Sequence, residues 1–410
     1  SFLSGGTAAG HGSHSARPGK ARRRAPGGAV PLPQDSAAVE WWLTRWAVEG
    51  DGVPYAAEGV LALWPGRRAE TDRWTFGLEF EFAVADAGWV ASELHARGLC
   101  PTPEPLDYHG RRAEGQWSVE QDRSVSSVFQ STDGSPPIVV GGEVVSPPLR
   151  DTAEAWQQVA TVLEVLRQCG AEVNRSCGFH VHIGTDALRD AESGPKPWSD
   201  PALRGPHEPA RDLLPTLSRL AMLASVCFED LVFRLASAEG GHHRGRAVYY
   251  RHCRPLAGPL QGTYERLADL TDALGTSGVA RRAALNLTNV GDPQKDTVEF
   301  RQCNGTLDGR VVQAFCRLCA ALVGAARWQP EAALLPPAPL GTHWERRAAL
   351  GESADWVAFD ADPRPLWRFL AAVFPDGLPV DAAAALLWLY RSGRWQPGLT
   401  SLATLDPSGN

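Results

Sequence analysis

Residues 76–82 read Phe76-Gly77-Leu78-Glu79-Phe80-Glu81-Phe82. Side chains of a β-strand alternate between its two faces, so Leu78, Phe80 and Phe82 fall on one side and Glu79 and Glu81 on the other. Two carboxylates about 6–7 Å apart at the Cα level then point the same way. Three further segments repeat this pattern. In 178–184, Gly-Phe-His-Val-His-Ile-Gly, His180 and His182 share a face with Phe179, Val181 and Ile183 behind them. In 296–304, Glu299 and Arg301 share a face, with Val298 and Phe300 opposite. In 138–149, Glu143 comes just before a Ser-Pro-Pro strand terminus. Any one of these alone reads as a solvated sheet face. The four together predict one sheet with an apolar reverse and a polar open face that forms a site.

Carboxylate oxygens dominate that face, which suits a hard ion such as Mg²⁺ or Mn²⁺ better than a Cys/His zinc centre. Several glutamates this close would repel one another without cations, so metal binding is implied.

The chain has 410 residues, long enough for two or three lobes around a substantial core. Hydrophobic residues make up 43% and charged residues 21%, and no uninterrupted apolar run reaches the roughly 18–20 residues that span a bilayer, so no membrane partner is expected. A net charge of −7 provides no global cationic field, which argues against nucleic acid as a partner. Of 40 basic residues only Lys20, Lys196 and Lys295 are lysines, leaving 37 arginines. None of the three is followed by Ser or Thr, so a Walker A loop is excluded and any phosphate must be held by arginine, backbone N–H groups or metal ions. The 8 cysteines show no disulfide framework, and a cytoplasmic location with reduced thiols is the expectation. Cys316 and Cys319 stand at i,i+3 in an apolar stretch and read as core packing rather than as a metal or redox pair.

Residues 1–34 hold no acid and read as a disordered basic arm, a flexible tail rather than a transit peptide. Residues 35–73 read as an N-terminal helical segment, with a Trp-rich helix from Asp35. Residues 74–330 form the expected catalytic domain, interrupted by a Pro-rich loop over 186–210, and 331–410 a helical C-terminal lobe. Within the domain, helices are predicted over 151–170 with a capping-box-like start at Asp151 and Glu154, over 212–236, and over 309–328. Arg244, Arg246 and Arg251 surround Tyr249 and Tyr250, a candidate clamp for a substrate carboxylate, and Asn286 is a candidate for the same cavity.

The ordered set of motifs resembles the amidoligase family. It comprises Phe-Gly-Leu-Glu79-Phe-Glu81-Phe, Asp122-Arg-Ser124, Glu143-Val-Val-Ser-Pro-Pro, Cys177-Gly-Phe-His180-Val-His182, and Glu299-Phe-Arg301 through Gly305-Thr-Leu-Asp308. That family is related to glutamine synthetase and the glutamate-cysteine ligases. The resemblance implies an α+β, glutamine synthetase-like domain whose curved, mainly antiparallel sheet is backed by helices. It implies an ATP-dependent carboxylate-amine ligase that takes the γ-phosphate of ATP onto a carboxylate and lets an amine attack the acyl phosphate, with a peptide among the candidate substrates. Carried over residue by residue, Glu79, His180 and Glu299 hold the metal that bridges the β- and γ-phosphates, and Glu81 and Glu143 hold a second ion near the acceptor carboxylate. Arg301 stabilises the transferring phosphoryl group, His182 contacts a nucleotide phosphate, and Asp122 orients or deprotonates the amine.

Two rivals remain open from the residues. His-x-His beside several carboxylates also suits a binuclear metal-dependent hydrolase of amides or esters. A peptide-binding module with a spent site is the non-enzymatic alternative, disfavoured because every acid matched to the family is present.

Overall fold

The structure is a computed structural model. It describes residues 29–30, 55–64, 66–107, 112–125, 127–129, 138–174, 176–189, 212–236, 253, 256, 260, 264–275, 280–293, 295–329, 364–373 and 378–379. All four alternating segments are strands of one sheet. In chain order its members are β1 (Thr75–Asp86), β2 (Ser118–Glu120), β3 (Ser127–Phe129), β4 (Ile138–Val145), β5 (Leu149–Arg150), β6 (Gly178–Gly184), β7 (Leu285–Asn286) and β8 (Thr297–Asn304). They lie in the order β2–β4–β1–β6–β8–β7, with β3 on β4 and β5 on β1, and every strand pair is antiparallel. The fold class is α+β, with an open 8-stranded sheet and helices. The helices are α1 (Ala87–Ala96), α2 (Ala153–Gln168), α3 (Leu214–Ala221), α4 (Glu229–Ala236), α5 (Leu267–Leu274), α6 (Gly309–Trp328) and α7 (Arg364–Val373).

The period-2 pattern explains how the sheet is covered. Phe76, Leu78, Phe80, Phe82, Phe179, Val181, Ile183, Val298 and Phe300 are all buried. Phe76 stacks on Trp156 of α2 at 4.9 Å between ring centroids, and Phe179 meets Phe315 of α6 edge-on at 6.1 Å. Helices therefore cover this face and leave the carboxylate face open. Phe80 lies against Phe179 at 5.0 Å, in the middle of the packed layer. Phe80→Ala is expected to cost about 3–5 kcal/mol. Urea unfolding should show a lower midpoint with an unchanged slope; a midpoint equal to wild type would mean the layer closes over the lost ring.

Helix α2 starts at a different cap from the one the sequence suggested. Thr152 is the N-cap, its hydroxyl accepting from Ala155 N at 3.4 Å. The Asp151 carboxylate instead receives Val60 N at 2.9 Å, Leu61 N at 2.7 Å and Trp156 Nε1 at 2.8 Å. Two backbone donors and an indole offer it more hydrogen bonds than one helix terminus would. The single helix expected over 212–236 is divided. A π-helical turn over Met222–Cys227 separates α3 from α4, with Phe228 N bonding back to Leu223 O at 3.1 Å. The wider turn leaves the Phe228 ring edge-on to Phe369 of α7 at 5.3 Å.

Helix α6 follows its prediction, capped by Asp308 onto Arg310 N at 2.8 Å, and both Cys316 and Cys319 lie inside the core. By length and composition α6 is apolar enough to cross a membrane, yet 89% of that stretch is buried inside the protein. It is the central helix of the core. Among the described residues of 55–73 the only helical turn is Arg68–Thr71, and Val60, Leu61, Leu63 and Trp64 pack into the core without helical structure. Leu366, Phe369, Leu370 and Val373 of α7 join the same core. The expected basic arm lies almost wholly outside the described residues, as do the helix from Asp35, most of the 186–210 loop and most of 331–410.

Candidate active site

Strand register brings the polar side chains into rows. Glu120 of β2 stands opposite Glu143 of β4, which stands opposite Glu81 of β1. Glu79 faces His180 across β1 and β6. His182 faces Glu299 across β6 and β8, and Glu299 faces Asn286 of β7. A register shift between Phe179 and Val181 gives β8 one extra residue, because Phe179 pairs with Cys303 while Val181 pairs with Phe300. Such a bulge re-aims side chains. Here it returns Cys303 to the core, while Arg301 keeps the cavity side that alternation with Glu299 gives it.

The result is a cavity of about 370 Å³ bounded by Glu79, Glu81, Asp122, Glu143, His180, Asn286, Glu299 and Arg301. That size is within the usual range for small-ligand sites. His182 lies outside the lining but touches Glu79, its Nε2 at 3.1 Å from Oε1. Arg246, Tyr250 and Arg251, the candidate substrate clamp, lie outside the described residues, as do Arg244 and Tyr249.

The contacts within the cavity are dense. His180 Nδ1 is 3.0 Å from Glu79 Oε2 and 3.6 Å from Glu299 Oε1, and its Nε2 is 3.6 Å from Glu81 Oε1. His182 Nδ1 meets Thr297 Oγ1 at 3.1 Å. Asn286 Nδ2 donates to Glu299 Oε2 at 2.7 Å, and Arg301 is ion-paired to Glu299. Gly178 N donates to Glu81, and Asp122 Oδ1 accepts from Ser124 N at 2.7 Å.

Two trios of ligand atoms lie within 4.8 Å of one another: Glu79 with His182 and Glu299, and Glu79 with Glu143 and His180. Glu79 is common to both. This grouping differs from the one the resemblance implied, since His182 joins a potential cation site and Glu81 stands outside both trios. The donors suit a cation. The Nε2 atoms of His180 and His182 are buried and face carboxylates, Glu81 at 3.6 Å and Glu79 at 3.1 Å. Each ring meanwhile engages its Nδ1 with a carboxylate or hydroxyl, the usual arrangement of a metal-ligating histidine.

Charge compensation without cations is uneven. Burial and then the charges of Glu79, Glu81 and Asp122 push Glu143 well above the usual carboxylate range. Burial and Glu81 raise Asp122 in the same way. Burial would also raise Glu79, but the imidazoles of His182 and His180 outweigh it and hold Glu79 well below. Burial would lower His182, and Glu79 and Glu299 raise it instead. Glu299 is held low because Arg301 and His182 outweigh its burial. Glu143 and His182 thus keep their protons to higher pH than free side chains do, whereas a cation ligand must release its proton. Mg²⁺ or Mn²⁺ binding is therefore expected to tighten as pH rises through neutrality and to release protons. Calorimetry at pH 7 in two buffers of different ionisation enthalpy checks this; identical heats would show that neither group gives up a proton.

The sequence reading missed the cavity's other cations. Arg112, Arg123, Arg281, Arg282 and Lys295 all line it. Lys295, one of the chain's three lysines, is close enough to act electrostatically on His182. These residues sit on turns and short irregular segments, where no period marks a face. Asp122-Arg123-Ser124 was the one available signal, and Arg123 went unread between its neighbours.

No curated protein matches the chain. A family model described as "Putative amidoligase enzyme" matches residues 72–193, the segment that carries Glu79, Glu81, Asp122, Glu143, His180 and His182. With all of these but His182 lining one cavity, and His182 touching Glu79, the match supports the amidoligase family for this chain and, with it, an enzyme of the ligase type.

Proposed function

We propose that this protein is an ATP-dependent carboxylate-amine ligase that forms an amide or peptide bond through an acyl phosphate, on a sheet of the glutamine synthetase kind. The observation that carries the reading is the convergence of Glu79, Glu81, Glu143, His180, Glu299 and Arg301 from four strands onto one cavity. Glu79, Glu143, His180, His182 and Glu299 would hold Mg²⁺ or Mn²⁺, which supplies charge neutralisation for the phosphates of ATP. Arg301 directs its guanidinium at the transferring phosphoryl group, held in place by Glu299. Asp122, whose pKa burial and Glu81 raise, accepts the proton of the attacking amine. Glu81, anchored by Gly178 N, would add negative charge for a second cation. The test is release of ADP and phosphate in the presence of Mg²⁺ over a panel of acids and amines, peptides included. No acid-dependent ADP release in that panel would count against the ligase.

The two trios that share Glu79 also favour a second reading, a binuclear hydrolase, because a bridging carboxylate is what such centres use. Amide or ester hydrolysis that proceeds without ATP would support it.

A further inference from the structure

The first residue of β8 carries a hydroxyl beside the carboxylate face. Thr297 pairs with Gly184 at the end of β6, and alternation puts its side chain on the same face as Glu299 and Arg301. Its Oγ1 is 3.1 Å from Nδ1 of His182, which with Glu79 and Glu299 makes one of the two ligand trios. The other ring nitrogen of His182, Nε2, is 3.1 Å from Glu79 Oε1.

Two proton placements fit these distances. With the proton on Nε2, the ring donates to Glu79, Thr297 donates to Nδ1, and the arrangement is a structural contact. With the proton on Nδ1, the ring donates to Thr297 Oγ1 and the Nε2 lone pair faces the carboxylates. Only the second form can hold a cation, because a neutral imidazole binds metal through its unprotonated nitrogen. A proton on Nε2 would serve Glu79 alone, whereas a cation there offsets Glu79 and Glu299 together.

The backbone that carries Thr297 is fixed from both sides. Asp296 is a non-glycine residue at φ +38°, in the left-handed region that strains most side chains. Its buried carboxylate accepts from Thr185 Oγ1 at 2.6 Å on one oxygen and from Gly291 N at 2.9 Å on the other. Its carbonyl oxygen accepts from Thr185 N at 3.0 Å. Thr185 follows β6, and Gly291 lies between β7 and β8, so one residue ties three segments. The ends of elements ordinarily open most easily. This strand end opens only by breaking those three bonds, which keeps Thr297 opposite Gly184 and within reach of His182.

We infer that Thr297 is a positioning residue for a cation site: its hydroxyl accepts the Nδ1 proton of His182 and so aims the Nε2 lone pair at a cation shared with Glu79 and Glu299. This inference rests on the cation sites of the proposed function.

The experiment is titration of the full chain with Mn²⁺ by calorimetry, in the presence of a non-hydrolysable ATP analogue. Thr297→Val keeps the branched shape and removes the hydroxyl. It is expected to weaken Mn²⁺ binding about tenfold or more, the usual cost of losing the outer partner of a ligating histidine. Thr297→Ser restores a hydroxyl and should bind within about threefold of wild type, well short of that cost. In a His182→Gln background Thr297→Val should have no further effect, because its action passes through the imidazole. A threonine that merely supports the strand would weaken binding there too. Nitrogen NMR of the wild-type protein loaded with Mg²⁺ should find the His182 proton on Nδ1, a reading that stands even if the valine variant fails to fold. Unchanged affinity in Thr297→Val, a loss that persists without His182, or a proton on Nε2 with Mg²⁺ bound would overturn the inference. Wild type that binds neither ion sinks the cation sites and this inference with them, whereas binding indifferent to Thr297 sinks only the positioning role.

Discussion

Glu79→Gln is expected to lower metal-dependent turnover by more than the roughly 10–100-fold that loss of an outer metal partner costs, while the fold persists. Glu79 is the one residue common to both ligand trios, so a neutral amide would weaken both candidate cation sites at once. It is also the group that holds the two imidazoles, through contacts of 3.0 Å to His180 and 3.1 Å to His182. The fold should survive because glutamine keeps the shape and one acceptor, and because the sheet is built on the opposite face by Leu78, Phe80 and Phe82. Thermal melting provides a second readout. A cation that binds only the folded protein raises the melting temperature as its concentration exceeds Kd, so Mg²⁺ should stabilise wild type and leave Glu79→Gln almost unmoved. Turnover within about threefold of wild type, set against that expected loss, would remove Glu79 from the centre of the site.

Much of that site was legible because period 2 is a rigid code. Once Leu78, Phe80 and Phe82 face a core, Glu79 and Glu81 can only face away, and the same reasoning orders His180 with His182 and Glu299 with Arg301. Whether four strands share one sheet is a matter of long-range pairing, which the ordered motifs suggested and the register places residue against residue. The extra residue in β8 was invisible, since alternation in one strand does not reveal which partner residue is skipped. The same limit hid Glu120, which lies on a strand of 3 residues too short to show a period. Arg112, Arg281, Arg282 and Lys295 reach the cavity from turns, and only the fold brings them there. The Asp151 correction has a related origin. A polar residue ahead of a helix reads locally as a cap, but the segment at Val60 and Leu61, 90 residues earlier, supplies competing donors.

Arg301→Lys is expected to reduce turnover sharply while leaving melting temperature and nucleotide affinity nearly unchanged. The guanidinium lines the cavity and pairs with Glu299 through one terminal nitrogen. Burial would disfavour its charge, but Glu299 more than offsets this, so the group is cationic at every working pH. Lysine retains that charge and one contact to Glu299, which protects the fold and the ground-state complex. It loses the planar fork, so it cannot hold Glu299 and meet the phosphoryl oxygens at the same time. A contact that strengthens as charge develops acts on turnover rather than on binding. Removing one stabiliser of this kind typically costs on the order of 3–4 kcal/mol, or about 10²–10³ in rate; with the charge retained, a loss of at least about tenfold is expected. An unfolded variant would make Arg301 a structural partner of Glu299. Normal turnover would show that the phosphoryl group lies elsewhere in the cavity, and a weaker nucleotide affinity with unchanged turnover would place Arg301 in ground-state binding instead.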